Sequence, residues 1–382
     1  MSKQRALEVI AGRFADRIPQ WDFPDSPLLA RKLFGYDIWQ DTRRTAADLW
    51  RHFDIDLAHY LPGGIAEWNF PLVRYYGEAD YIEDESAADY RRAYCRPLPE
   101  AITYRSMYDA LKRKSAASSW GLAPTMNMKD YGFPSPEDVL AFNPLDHDRA
   151  TFDERKSFFK RYYAEMQSLL GDDCLMMGWY YHTLFMWPVE IFGWENFMIA
   201  AMTDQERFNE ILLQFLDITK RDIRAMCEVE GLPLIACHDD LSSARGPMFD
   251  PAWYERYIFP HYHEIFSIIH SAGKKALFVS DGNVEALLPR LAAAGADGIA
   301  IDTNTSLQAA VESFSGKIIC GGMDPAVISQ GSLGDIEAMV RKTVVAVKDQ
   351  PGYFFQCPGM TGRAPIQNIE RYQELIREYG KR

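Results

Sequence analysis

The sequence predicts a (β/α)8 TIM barrel, because eight short apolar runs alternate with longer amphipathic segments and nearly every run ends in residues able to do chemistry. Strands of a parallel sheet are covered on both faces and so read as almost continuous apolar stretches. Such stretches stand at 17–23 (RIPQWDF), 55–61 (IDLAHYL), 174–181 (CLMMGWYY), 232–238 (LPLIACH), 275–280 (KALFVS), 297–302 (DGIAID), 317–322 (KIICGG) and 353–357 (YFFQC). Helical spacing runs over 204–229 behind the cap candidates Thr203 and Asp204, over 251–271 before Gly273, over 334–348, and over 366–379 before Gly380. Residues 3–13 predict a further helix that plugs the bottom of the barrel. Residues 62–150, rich in Pro, Gly and Tyr, are too long for a plain connection. They predict an elaborated loop, before the third strand, over the barrel mouth. The whole chain, 1–382, fits one barrel domain, since barrels reach this size through extended loops.

Composition narrows the functional classes. With 47% hydrophobic and 25% charged residues the chain can build a large core, which excludes a disordered or fibrous protein. A net charge of -13 without a Lys/Arg cluster excludes a nucleic-acid partner, because such proteins gain affinity by neutralising phosphates. No stretch approaches the roughly 20 apolar residues of a membrane helix. The N-terminal MSKQRALEVIAGRFADR is charged and has no signal-peptide core, so a cytoplasmic, membrane-free protein is expected. Cys95, Cys174, Cys227, Cys237, Cys320 and Cys357 form no C-x-x-C pair and predict reduced, mostly buried thiols.

In a parallel barrel the active site is built from the loops that follow the strands. Polar residues at those places are Asp22, His59, Tyr60, Tyr181, His182, His238, Asp239, Asp240, Asp281, Asn283, Asp302, Asn304, Asp324, Gln356 and Cys357. Any one of the acids or amides could instead cap the next helix. The run His238-Asp239-Asp240 is the sharpest signal, as an apolar strand delivers three ionisable groups into the mouth, where burial can raise a carboxyl's pKa toward neutrality. Carboxyls converging from neighbouring strands cannot all ionise at short range, so Asp240 or Asp281 is expected to keep a proton and act as general acid. Asp240, Asp281 and His238 are therefore the expected catalytic residues, and Asp22, His59, Tyr60, Tyr181, His182, Asn283, Asp302, Asn304, Asp324, Gln356 and Cys357 the expected substrate contacts. Asp239 either caps a helix or pairs with Arg245, Asn283 in S-D-G-N reads equally as a turn residue, and His182 sits in an aromatic group typical of a core. His261 and His263 lie two apart in a helix and share no face.

Three stretches, ACHDDLSSARGPMFDPAWYERYIFPHYHEIFSIIHSAGKKALFVSDGN, GGMDPAVISQGS and PGYFFQCPG with the terminal NIERYQELIREYG, resemble the superfamily of uroporphyrinogen decarboxylases and cobamide methyltransferases. DRIPQWDF near the start and PVEIFGWENFMIAAMTD at 188–204 resemble the same group. The resemblance implies a (β/α)8 barrel, in agreement with the strand count. It implies two chemistries, and the residues that mark each are altered here. Where the decarboxylases carry an Arg-rich segment, this chain reads QWDFPDSPLLARKLFG, with Arg31 in place of the cluster, and the expected mouth is acidic. Where the zinc-dependent methyltransferases carry His-x-Cys and a later Cys, the matching positions are Val279, Asp281 and Met360, with Cys357 nearby. No zinc thiol-activation site and no directly bound cofactor are therefore expected, although His238 and Asp240 could join Asp281 in an oxygen-rich set. Three functions follow: methyl transfer from a small methylated substrate to a corrinoid on a partner protein, cofactor-independent decarboxylation of an acid smaller than a porphyrinogen, or small-ligand binding without catalysis.

Overall fold

The computed structural model describes residues 2–22, 27–35, 42–59, 81–83, 92–94, 133, 135–148, 150–357 and 364–382. All eight expected strands are present among them. β1 is reduced to a bridge at Gln20; β2 is Leu57–Ala58; β3 is Leu175–Met176 and Gly178–Tyr180; β4 is Leu234–His238; β5 is Lys275–Ser280; β6 is Gly298–Ile301; β7 is Ile318–Gly321; and β8 is Tyr353–Phe354. The first half of β3 pairs with β2, its second half pairs with β4, and pairing continues in order to β8, parallel throughout. β1 closes the ring on both sides. Trp21 N donates to Phe355 O at 2.8 Å and Phe355 N to Pro19 O at 2.9 Å, while Asp56 N and Leu57 N donate to Gln20 O at 3.0 and 3.1 Å. The fold is a closed (β/α)8 barrel.

Successive strand residues point to opposite faces, which divides the apolar side chains into two cores. Trp21, Leu57, Leu175, Met177, Trp179, Leu234, Ala236, Leu277, Ala300, Ile318, Cys320 and Phe354 fill the barrel. Ala6, Val9 and Ile10 of the helix Ser2–Ile10 join that cluster, so the N-terminal helix plugs the bottom as expected. The residues between them, such as Ile235, Cys237, Phe278, Ile299, Ile319 and Phe355, pack outward against the helices. Burying each large apolar side chain contributes about 1.5–3 kcal/mol.

Helix Gln205–Cys227 begins at Asp204, whose side chain accepts from Arg207 N. The expected helix 251–271 is two, Pro251–Tyr257 and Phe259–Ser271. Pro260 explains the break, since it has no N–H for the preceding turn and its ring crowds the carbonyl four residues back. Most of 62–150 lies outside the described residues. Within it, 81–83 pair antiparallel with 92–94. Its last part packs on the helix layer instead of the mouth: the Phe133, Phe142 and Phe192 rings meet edge to face, and Asp148 pairs with the buried Arg155, which also binds Asp222. Of the described cysteines, all five are free thiols. No helix among the described residues is long and apolar enough to cross a membrane.

One side chain joins β4 to the helix layer. Asp239 points outward and accepts from the backbone N–H groups of Leu184, Phe185 and Met186 at 2.8, 2.9 and 2.7 Å, at the head of helix Met186–Phe192, and from Tyr262 Oη at 2.7 Å. Helix capping is thus its role, and Arg245 is not its partner. Replacing Asp239 by Ala strands these buried donors, each costing about 1–3 kcal/mol. Asp239→Ala is expected to lose at least about 3 kcal/mol in chemical denaturation; a loss below about 1 kcal/mol would show that the cap is dispensable.

Candidate active site

The alternation that separates the two cores also sorts the candidate site residues. Trp179, Ala236, Leu277, Ala300 and Phe354 face the barrel interior. Tyr181, His238 with Asp240, Asp281, Asp302 and Gln356 continue those rows at the mouth, and His59 continues the row of Leu57. Asp22, His182, Asp239 and Cys357 have the opposite parity and enter the helix layer. Asp22 is fully buried and accepts from Cys357 N, Gln20 and Tyr372 Oη, so it bolts β1 to β8 and to helix Ile366–Tyr379. His182 stacks on Trp187, and burial, with the charge of His238 next, lowers its pKa to about 3. The Cys357 thiol points at Met323 O. These three are structural, and the substrate contacts expected of them are corrected accordingly.

Helix starts and turns claim two more. Asp324 caps helix Pro325–Gln330 by accepting from Ala326 N, and Asn283 accepts from Glu285 N in a local turn. Tyr60 and Met360 lie outside the described residues.

The remaining inward residues converge. His238 Nε2 lies 3.1 Å from Asp240 Oδ1, and its Nδ1 lies 3.3 Å from Tyr181 O. Both ring nitrogens face acceptors, the pattern of an imidazolium. The Tyr181 ring lies over the imidazole, with centroids 4.3 Å apart at 23°. Asp240 Oδ1 also accepts from Asp281 N at 2.8 Å, which draws the ends of β4 and β5 together. Asp302 accepts from Gly282 N at 2.9 Å and from Asn304 Nδ2 at 2.6 Å. Sequence reasoning missed Thr305, which donates to Gly282 O at 2.8 Å and accepts from Val284 N at 2.9 Å. Gly282 makes the tight turn that S-D-G-N predicts: at φ +83 a Cβ would lie 2.2 Å from Ser242 O, so only glycine lets the 242–247 hairpin sit against this turn. Below the mouth, His59 Nδ1 accepts from Trp21 Nε1 at 3.1 Å and its ring packs 4.4 Å from Trp179; burial keeps it neutral.

The charges divide unequally. Burial opposes the charge on His238, but the neighbouring carboxylates, Asp240 first and then Asp281 and Asp239, together outweigh it and raise the imidazole to about 9. Burial likewise opposes ionisation of Asp240, and His238 overrides it, holding the carboxyl below its ordinary range. Asp281 goes the other way, to about 7, through desolvation first, then the negative charges of Asp240 and Asp302, with His238 opposing. Because Asp281 is exposed by area at the rim, the neighbouring carboxylates are the firmer of these causes. Of the two expected candidates for the proton, Asp281 is the one the geometry favours. Donor atoms of His238, Asp240 and Asp281 lie within 4.8 Å of one another, close enough for one cation. A cation there would displace the proton that His238 shares with Asp240.

A family model for uroporphyrinogen decarboxylase (URO-D) matches residues 188–379, just over half of the chain and the part that holds β4 to β8. The chain belongs to the uroporphyrinogen decarboxylase family. It is 26% identical over 181 residues to uroporphyrinogen decarboxylase of Thermus thermophilus, covering 47% of this chain and 51% of that protein. To the Carboxydothermus hydrogenoformans enzyme it is 23% identical over 175 residues, 45% and 48% of the two chains. The chain thus spans about half the length of the curated relatives it matches. Its fold is similar to that of a methyltransferase from Methanosarcina mazei, with a TM-score of 0.60 over 99% of this chain and 98% of the other at 14% identity.

Since Val279 offers no ligand atom and His238 and Asp240 are bonded to each other, the purified family member is expected to contain no stoichiometric zinc. Elemental analysis finding one zinc per chain, lost in Asp281→Asn, would contradict this.

Proposed function

We propose that the protein is an enzyme that transfers a methyl group from a small methylated substrate to a corrinoid carried by a partner protein, with Asp281 as general acid. One observation carries the reading: His238 Nε2 pairs with Asp240 Oδ1 at 3.1 Å with an Asp281 oxygen within 4.8 Å of both, an arrangement in which burial first and then the charge of Asp240 push Asp281 up to about 7. When a methyl–heteroatom bond breaks, the electron pair stays on the heteroatom, which needs a proton to leave as a neutral group. Asp281 supplies that proton and is recharged from solvent. A corrinoid on the partner protein would supply, when bound, the nucleophile that takes the methyl group. Asp281 is exposed at the rim, which suits a reacting centre approached from outside by a second protein. Tyr181 offers an aromatic wall and Asp302 and Gln356 offer acceptors along the inward rows.

A second reading, decarboxylation of a small acid, is favoured by Arg245. It lies in the loop that follows β4, and its exposed guanidinium forms no ion pair with a described residue. A carboxylate substrate would find its cation there, and Asp281 would then protonate the carbanion left by loss of CO2. A porphyrinogen with many carboxylates fits this acidic mouth poorly.

The two readings separate by experiment. Purified protein is given reduced cobalamin with a panel of small methylated compounds, and CO2 release is followed separately from small carboxylic acids. Methyl transfer predicts the spectral change of cobalamin methylation; CO2 release alone would favour the second reading, and silence in both assays would favour a binding protein. For the active reaction, the rate is expected to fall as pH rises through about 7, because the proton on Asp281 is lost there. Asp281→Asn should lower the rate by about 10²- to 10⁴-fold and abolish that limb. Full activity in Asp281→Asn would remove Asp281 from the mechanism. Arg245→Gln should leave transfer from a neutral methyl donor unchanged and raise the KM of a carboxylate substrate about tenfold or more.

A further inference from the structure

We propose that Tyr181 is a positioning residue that holds His238 as the fixed cation of the mouth, through its ring and its backbone carbonyl together. The residue deepens the acid–base reading of this site, since the cation it holds is what ionises Asp240.

Three contacts define the arrangement. The carbonyl of Tyr181 faces His238 Nδ1 at 3.3 Å, which turns Nε2 toward Asp240 Oδ1 at 3.1 Å. The Tyr181 ring covers one face of the imidazole at 4.3 Å between centroids, well inside the distance at which an aromatic face attracts a cation. Trp179, two residues earlier on the same inward row, also stacks on His238, at 5.8 Å and 27°, and lies 6.5 Å from Tyr181, so it is a second and more distant ring while Tyr181 makes the closer stack. His238 is almost wholly buried, and a buried imidazole would otherwise shed its proton. Among the described residues, the charged or titratable groups that face it are Asp239 and Asp240 from its own strand, Asp281 from β5, His59 from β2 and His182 after β3. The two histidines are buried neutral, so the carboxylates and the Tyr181 face determine its charge. Tyr181 itself is half-buried at the rim and packs against the edge of the barrel-interior cluster.

The test needs no substrate, so it stands whether or not methyl transfer is the reaction. The ring protons of His238 are assigned with His238→Gln and titrated by NMR in wild type, Tyr181→Phe and Tyr181→Met. Tyr181→Phe, which keeps the aromatic face and the carbonyl, should titrate as wild type. Tyr181→Met, which keeps the bulk but removes the face, should lower the His238 midpoint by about one pH unit. A midpoint unchanged in Tyr181→Met, or lowered equally in Tyr181→Phe, would overturn the proposal. So would loss of the fold in Tyr181→Met, which would make Tyr181 a structural residue.

Discussion

The parallel pairing of β4 with β5, in which His238 stands beside Val279 and Asp239 N donates to Val279 O at 3.0 Å, is the constraint on which the mouth depends. That register sets Asp240 and Asp281 at the two strand ends, near enough for a 2.8 Å hydrogen bond from the Asp281 backbone to the Asp240 carboxylate. A slip of one residue would send His238 and Asp240 to the helix side and Asp239 into the barrel, because side chains alternate with period two. The cap on helix Met186–Phe192 guards against this slip, since Asp239 is held outward by three backbone donors and a tyrosine hydroxyl.

Given that register, the distribution of charge follows from elementary electrostatics. Two carboxyls and an imidazole crowd a partly desolvated space. The imidazole takes one proton and ionises its direct partner, and the negative charge so created disfavours a second one nearby. The outcome is a mouth with one fixed ion pair and one carboxyl titrating close to neutrality, on a turn fastened from β6 by Asp302 and Thr305. The fastening matters for chemistry, because a proton donor must be held where the leaving group will be.

Much of this was legible in the sequence. The eight apolar runs became the eight strands because parallel strands have no polar face to obscure them, and the helix plugging the barrel bottom was equally plain. That His238, Asp240 and Asp281 come together at the mouth was readable from strand ends. What was lost was parity: Asp22, His182 and Cys357 also stand at strand ends, but on the odd side of the alternation, and counting residues from Trp21, Trp179 and Phe354 would have sent them to the helix layer. Other features depend on partners distant in sequence. The bond from Cys357 N to Asp22, 335 residues apart, and the stack of Tyr181 on His238, 57 residues apart, leave no local pattern to read. Pro260 did carry a local signal for the break after Tyr257, and the strong apolar period on either side masked it.

The account stands or falls on where the proton of the mouth resides. Carboxyl carbon NMR of aspartate-labelled protein, with the Asp281 signal assigned by Asp281→Asn, reads this directly. The account predicts that Asp281 titrates at about 7 while Asp240 stays ionised well below that. An Asp281 midpoint near the ordinary aspartate value of about 4 would contradict it, and would return the side chain to the status of a solvated carboxylate.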